Sequence, residues 1–393
     1  MPVSDSNNKK KRLSRAARRR KRRIRAIKNF LLVFLGLALC GLMVCMLWLP
    51  GRSGGPSATP TPLPTATPTP TPEPTPISIT ISAVGDCTLG GDFRGDSEQR
   101  FAQMMTGADG APDYTYCMRN VADIFAADDL TIANLEVVLT TSSDYDKKDH
   151  DTAFYMRGDP GYVNILTTSS IEVANVANNH AKDFGQEGFK DTLAVLEQAG
   201  VAYCGFGNTC ILEVKGVRIG FVGVYSWINT EESITNAIKK LKENSDLVIA
   251  SCHWGQEKDY EPTSGQRKMA RWMVEAGADL VLGHHSHVVN GVEVMDGVNV
   301  VYSLGNFCFG GNKNPSDKDS FIYQQTFLLD PETKQLLEVR ENIIPCSISS
   351  VSDTNNYQPT PLTDSEAERV MQKIADLSED FDETIPLLQA YLD

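Results

Sequence analysis

From Phe30 to Leu49, twenty consecutive residues carry no charge. No other stretch restricts the chain as strongly. A helix of that length, at ~1.5 Å per residue, spans about 30 Å, the thickness of a bilayer's hydrocarbon core. Gly36 and Gly41 do not disqualify it, because glycine is common in membrane helices, and Trp48 sits where an interfacial aromatic belongs. Residues 1–28 hold thirteen Lys/Arg and one acid. That bias orients the span, with the N-terminus in the cytoplasm and everything after Gly51 outside. A cleaved signal peptide has a shorter apolar core, roughly 7–15 residues, and a small-residue cleavage site. Here the stretch ends in Leu49-Pro50-Gly51-Arg52. The reading is an uncleaved single-pass anchor over 29–50, preceded by a basic cytoplasmic tail, 1–28.

The anchor changes the meaning of the net charge of −13. The tail contributes +12 and the remaining 365 residues −25. The basic run is a topology signal touching anionic lipid, and no nucleic-acid partner is expected. Residues 51–76 form a linker. Pro56–Pro76 holds nine prolines, mostly in Thr-Pro repeats, a composition that favours extended polyproline II. It reads either as a spacer of about 65 Å or as a plain linker.

A globular domain is expected over 77–345, with a C-terminal extension over 346–393. Ile77, Ile79 and Ile81 alternate with small polar residues, a strand pattern. Strand-like segments (130–135, 171–176, 220–225, 247–252, 280–282) then alternate with helix-like ones (121–127, 186–199, 233–243, 264–276), which indicates a layered α/β fold. Hairpins are expected around Asp296-Gly297 and Asp330-Pro331. Asp364 to Phe381 reads as an amphipathic helix with Asp364 as N-cap and Val370, Ile374, Leu377 and Phe381 as its buried stripe. Seven cysteines follow the anchor, and the pairing of Cys204 with Cys210 is left open.

Short polar motifs close several of the strands: Gly85-Asp86; Asn134-Leu135-Glu136; Asn178-Asn179-His180; His253-Trp254-Gly255; His284-His285-Ser286-His287; and Gly305-Asn306. Five of the six histidines lie in them, His150 being the exception. In an open α/β sheet, strand C-termini converge on one edge, where ligands bind. Three imidazoles within four residues point to metal or anion binding, and mixed carboxylate, amide and imidazole donors suit Mn, Fe or Zn. Asn134, Asn178 and Asn306 are candidate substrate-binding amides. Lys182, Arg267, Lys268 and Arg271 are candidate cations for a polyanion.

These motifs, together with Gly277-Ala278-Asp279 and Tyr302-Ser303-Leu304-Gly305-Asn306-Phe307, resemble those of the CapA-type poly-gamma-glutamate biosynthesis proteins, which are related to the calcineurin-like metallophosphatases. The resemblance covers about residues 77–310. It implies a four-layer α/β/β/α metallophosphatase-like sandwich with one or two divalent ions. It also implies metal ligands Asp86, Glu136, Asn179, His253, His285 and His287, with His180 as general acid. Thr88 stands where metallophosphatases place a histidine, and Glu136 where they place an aspartate. Three functions follow as expectations. The first is a surface subunit for synthesis or export of poly-gamma-glutamate, working with other membrane subunits. The others are a phosphoesterase acting on an envelope phosphate ester and a non-catalytic polymer-binding scaffold.

Overall fold

In the computed structural model, residues 75–148 and 153–393 are described. The basic tail, the expected anchor, all but two residues of the Pro/Thr linker and His150 lie outside them. Among the described residues no helix is long and apolar enough to cross a membrane.

The chain opens with β1 (Ile77–Thr88), β2 (Gly91–Asp92), α1 (Ser97–Met104) and α2 (Ala122–Ala126). It continues through β3 (Leu130–Leu135), β4 (Val138–Leu139), β5 (Met156–Gly158), α3 (Val163–Thr167), β6 (Val173–Asn175), α4 (Gly185–Ala199) and β7 (Ala202–Cys204). A second run follows: β8 (Thr209–Val214), β9 (Val217–Tyr225), α5 (Glu231–Lys242), β10 (Leu247–His253), α6 (Ser264–Ala276), β11 (Leu280–His284), β12 (Val292–Met295) and β13 (Val298–Val301). The chain then returns through β14 (Asn306–Phe309), β15 (Asp319–Leu329), β16 (Leu336–Ser347), β17 (Thr360–Pro361), α7 (Asp364–Ser378) and α8 (Pro386–Leu392). The helices have local reasons to start and stop where they do. Thr230 and Thr263 form capping boxes at α5 and α6, and Gly200 and Gly277, both left-handed, end α4 and α6.

The fold is mixed α/β. One sheet runs β17-β16-β15-β1-β3-β6-β7, with β14 also on β1, and a second runs β12-β13-β11-β10-β9-β8. β1, β3, β6 and β7 are mutually parallel, as are β9, β10, β11 and β13. Strand alternation sorts the side chains into layers. Ile79, Ile81, Leu130 and Ile132 from the first sheet share a core with Phe221, Ile249, Leu280 and Leu282 from the second. On the outer faces, Val84, Ala133 and Leu135 pack with Leu166, Phe189 and Leu196, while Val248, Ala250 and Val281 pack with Ile234, Ile238 and Met273. Each fully buried Val, Leu, Ile, Phe or Met among these contributes about 1.5–3 kcal/mol.

The same alternation aims the polar residues. Asn134 and Glu136 continue the inward phase of Leu130 and Ile132, Ser251 and His253 that of Leu247 and Ile249, and His284 that of Leu280 and Leu282. Asp86 is the exception. Ile79, Ile81 and Ala83 face the second sheet, so Asp86 would face away from it. The register of β1 against β3 shifts between Val84 and Asp86, a bulge at Gly85. Beyond it, Cys87 and Leu89 join the outer core, and Asp86 turns toward the second sheet. The space at Gly85 is closed: a Cβ there would lie 2.0 Å from the Gly305 carbonyl oxygen.

Three C-terminal expectations need correction. Thr363, not Asp364, is the N-cap of α7; Asp364 is its first residue, at φ +50°. The buried stripe is Val370, Met371, Ile374, Ala375 and Ser378. Leu377 is only partly buried, and Phe381 lies past the helix end in the core under α5 and α6. The boundary drawn at 345/346 falls inside β16, and α7 and α8 enter the core between the sheets, so residues 346–393 belong to the same compact unit. Asp319 at the head of β15 holds α7 through Arg369 (2.7 and 2.9 Å) and Lys373 (2.8 Å). Burial raises the Asp319 pKa, but these cations outweigh it and depress the value below its usual 3.8. A depressed carboxylate stabilises the fold above its unfolded pKa and loses that contribution as pH falls through the folded value. Asp319→Asn should therefore cost about 1–2 kcal/mol at pH 7, with Arg369 half exposed, and the deficit should shrink below about pH 4 in denaturant titrations.

Candidate metal centre

The motif-bearing strand ends from both sheets meet at one edge. Asp86 is fully buried. Its Oδ1 accepts from Asn134 Nδ2 (2.7 Å), and its Oδ2 lies 3.0 Å from His287 Nδ1 and accepts from the His285 backbone N–H (3.3 Å). Glu136 Oε1 is 3.4 Å from His253 Nε2, and its Oε2 is 3.9 Å from His287 Nδ1. His253 Nε2 also meets Asn179 Oδ1 at 2.6 Å, and His253 packs on His285 with ring centroids 4.5 Å apart. One donor atom from each of Glu136, His285 and His287 lies within 4.8 Å of the other two. His285 and His287 both have positive φ, +91° and +57°, a conformation that non-glycine residues adopt at a cost. The tight turn after β11 thereby presents both rings to the same point.

Electrostatics separates these groups. Burial, with His285 close by, holds His253 far below its ordinary value, so it is neutral. Burial brings His284 and His285 down to about 4. Burial alone would keep His287 neutral too, but Glu136 and Asp86 reverse this and push it to about 10. Burial works to raise Asp86, and His287 overrides it, so Asp86 is ionised. Glu136 is pushed well above the carboxylate range by burial and by Asp86.

The donor set fits a divalent ion. Both Glu136 oxygens, His285 Nδ1 and Thr88 Oγ1 are buried without a hydrogen-bond partner. A buried carboxylate with two empty oxygens beside a second carboxylate is costly unless a cation shares the space. Imidazole plus carboxylate suits Zn, Mn or Fe.

A cavity of about 220 Å³ opens beside the cluster, lined in part by Thr88, Glu136, His180, His287 and Asn306. His180 Nδ1 is 2.7 Å from Asp183 Oδ2, which also accepts from the Met156 N–H, while Asp183 Oδ1 is 2.6 Å from Lys148 Nζ. Asn306 Oδ1 is 2.9 Å from His287 Nδ1. The expectation of substrate contact does not fit Asn134 or Asn178. Asn134 bridges Asp86 and His253 (3.3 Å) in the interior, and Asn178 donates to the Leu135 carbonyl and accepts from the His180 N–H. His284 turns inward to Ser251 Oγ (3.0 Å). The candidate cations are not at the cavity either. Arg267 pairs with Glu293 (2.7 Å), Arg271 with Asp296 (3.5 Å), Lys268 lies over Trp272, and Lys182 over Phe206. Sequence reasoning missed Trp227, half exposed and edge-on to His285 at 4.9 Å, and Glu257 and Lys258 on the cavity wall. The last two follow His253-Trp254-Gly255 directly, and that adjacency was the available signal. All seven described cysteines are free, Cys204 and Cys210 included.

Fold and site together define an α/β protein of two packed sheets with a buried acid–imidazole centre at the strand ends. Residues 80–311 match the family model described as "Bacterial capsule synthesis protein PGA_cap". The chain belongs to that family, in agreement with the CapA-type resemblance. It is 34% identical over 254 residues to the PGA biosynthesis protein CapA of Bacillus subtilis (strain 168), covering 59% of this chain and 63% of that one. It is 32% identical over 271 residues to the capsule biosynthesis protein CapA of Bacillus anthracis, covering 61% and 65%. The match thus spans less than two thirds of either relative. Among solved structures it is similar to a phosphatase from Mycoplasma pneumoniae (15% identity, TM-score 0.44, 72% of this chain and 96% of that one). It is also similar to a putative 5'-nucleotidase from Staphylococcus aureus (13%, TM-score 0.41, 76% and 58%).

Proposed function

We propose that the chain is a membrane-anchored, extracytoplasmic protein of poly-gamma-glutamate capsule synthesis or export, with a divalent metal in its strand-end cleft. Family membership supports the polymer. One observation carries the metal: the buried Glu136 carboxylate, with no hydrogen-bond partner on either oxygen, stands beside His285 and His287. Those three residues would hold the ion, with Asp86 and His253 against them. A bound divalent ion supplies Lewis acidity and a deprotonated water at neutral pH. The chain's own residues supply the rest. Asp183 holds His180 by Nδ1, which leaves Nε2 to give a proton to a group in the cavity or take one from it. Asn306 orients His287, and Asn134 orients both Asp86 and His253. Thr88 supplies only a hydroxyl where the resemblance implies a histidine, so the site suits one ion better than two.

The anchor at 29–50 and the outward placement rest on the uncharged run and the basic tail, and the partners would be the acidic polymer and other membrane subunits. The test is surface polymer in a producing strain. Deleting the gene should abolish it, the wild-type chain should restore it, and a Glu136→Gln chain should not. Unchanged polymer after deletion refutes the proposal. Asn134→Ala should lower metal affinity about 10–100-fold without touching a ligand, measured by competition with a chelating dye. The His180–Asp183 pair beside the cluster favours a second reading, a metal-dependent phosphoesterase. The purified chain would then hydrolyse a generic phosphodiester, and the double variant His285→Ala, His287→Ala would not.

A further inference from the structure

Resting on the polymer reading above, we propose that Lys258 forms a carboxylate subsite that selects an acidic chain and seats one of its carboxylates opposite the metal cluster. Lys258 is the one lysine or arginine among the residues lining the cavity. It makes no ion pair among the described residues. Lys148, Arg267 and Lys373 are by contrast committed to carboxylates: Lys148 to Asp183, Arg267 to Glu293, Lys373 to Asp317 and Asp319. Lys258 is also held in place. Its backbone N–H donates to the Ser286 carbonyl at 2.7 Å, between His285 and His287, and its φ is +60°. A long, free ammonium is thus fixed by its backbone to the turn that carries both imidazoles.

The other charges on that wall favour an anion at Lys258. Asp317 is already neutralised by Lys373 (2.7 Å) and bonded by Tyr260 (2.7 Å), so it does not compete for the ammonium. Glu257 is exposed and repels a polyanion, which leaves Lys258 as the point of attachment. Phe154, Met156, Val288 and Phe309 supply an apolar part of the lining. An apolar wall with one ammonium matches a repeating unit of methylenes bearing one carboxylate, the chemistry of a gamma-linked glutamyl chain. The subsite also answers the −25 charge of the residues after the tail, which would otherwise repel such a ligand.

The test is calorimetric binding to the full-length purified chain with two probes: a gamma-linked glutamate oligomer, and the same oligomer with its α-carboxylates converted to neutral carboxamides. Lys258→Ala should weaken the acidic oligomer about tenfold and leave the neutral one unchanged. Lys258→Arg should retain most of the affinity, and Lys258→Glu should abolish binding of the acidic probe. Unaltered thermal midpoints and metal content in Lys258→Arg and Lys258→Ala show that folding is not the cause. If Lys258→Ala binds the acidic oligomer as tightly as wild type, the subsite is refuted while the polymer reading stands. If the wild-type chain binds neither probe, the polymer reading fails and the subsite fails with it.

Discussion

Glu136→Gln is expected to have two opposite effects: loss of bound Mn, Fe or Zn from the purified chain, and a higher unfolding midpoint for the metal-stripped protein. Both follow from the same burial. Glu136 is 1% exposed, both oxygens lack hydrogen-bond partners, and Asp86 adds like charge. Without a cation, ionising Glu136 costs desolvation and repulsion; the amide keeps the shape and removes the charge. With a cation, the same carboxylate is a ligand that the amide replaces poorly. Elemental analysis before and after chelation, with thermal scans of each form, reads both effects. The double variant His285→Ala, His287→Ala should also lose the metal, but without the gain in stripped stability, because it opens a cavity. Full metal retention by Glu136→Gln, or a lower stripped midpoint, would remove Glu136 from the centre.

Gly85→Ala should be strongly destabilising. The new Cβ would sit 2.0 Å from the Gly305 carbonyl oxygen and 2.9 Å from its carbon, both backbone atoms that cannot swing aside. Relieving that contact parts β1 from the segment leading into β14 and breaks the Asp86 N–H to Gly305 carbonyl bond (2.9 Å). A loss of about 3 kcal/mol or more in denaturant unfolding is expected. Gly95→Ala, whose nearest neighbours are at 3.7 Å, is the control and should stay within about 0.5 kcal/mol. An unshifted midpoint for Gly85→Ala would mean that the bulge is not tightly closed.

Much of the site was legible in the sequence because it rests on two-residue alternation. Once Leu130 and Ile132 are read as inward, Asn134 and Glu136 follow, and the same holds for His253 after Ile249. What alternation could not supply was partnership. The stripe on α7 says that one face is buried but not that it enters the core between the sheets, and nothing local in 321–339 shows that this hairpin borders β1. The bulge was hidden for a related reason. Ile77 to Ser82 has a clean period of two, but Gly85 breaks it only through contact with a segment more than two hundred residues away. Asn134 and Asn178 looked like ligand amides because their chemistry suits that role, and only the structure shows them spent on internal hydrogen bonds.

β1 is paired antiparallel to β15 from Ile77 to Ala83 and parallel to β3 from Ile81 to Cys87. It is also the first described strand, so everything N-terminal connects through Ile77. A pull on that end acts along the strand axis and tries to slide β1 from between its neighbours. The ladder bonds are then loaded together in shear and do not unzip one at a time. Asp86 stands at the opposite end of the strand, about 30 Å from the point of traction at ~3.3 Å per residue. Mechanical strain entering from the N-terminal side must cross a strand bonded to three neighbours before it reaches the acid–imidazole cluster.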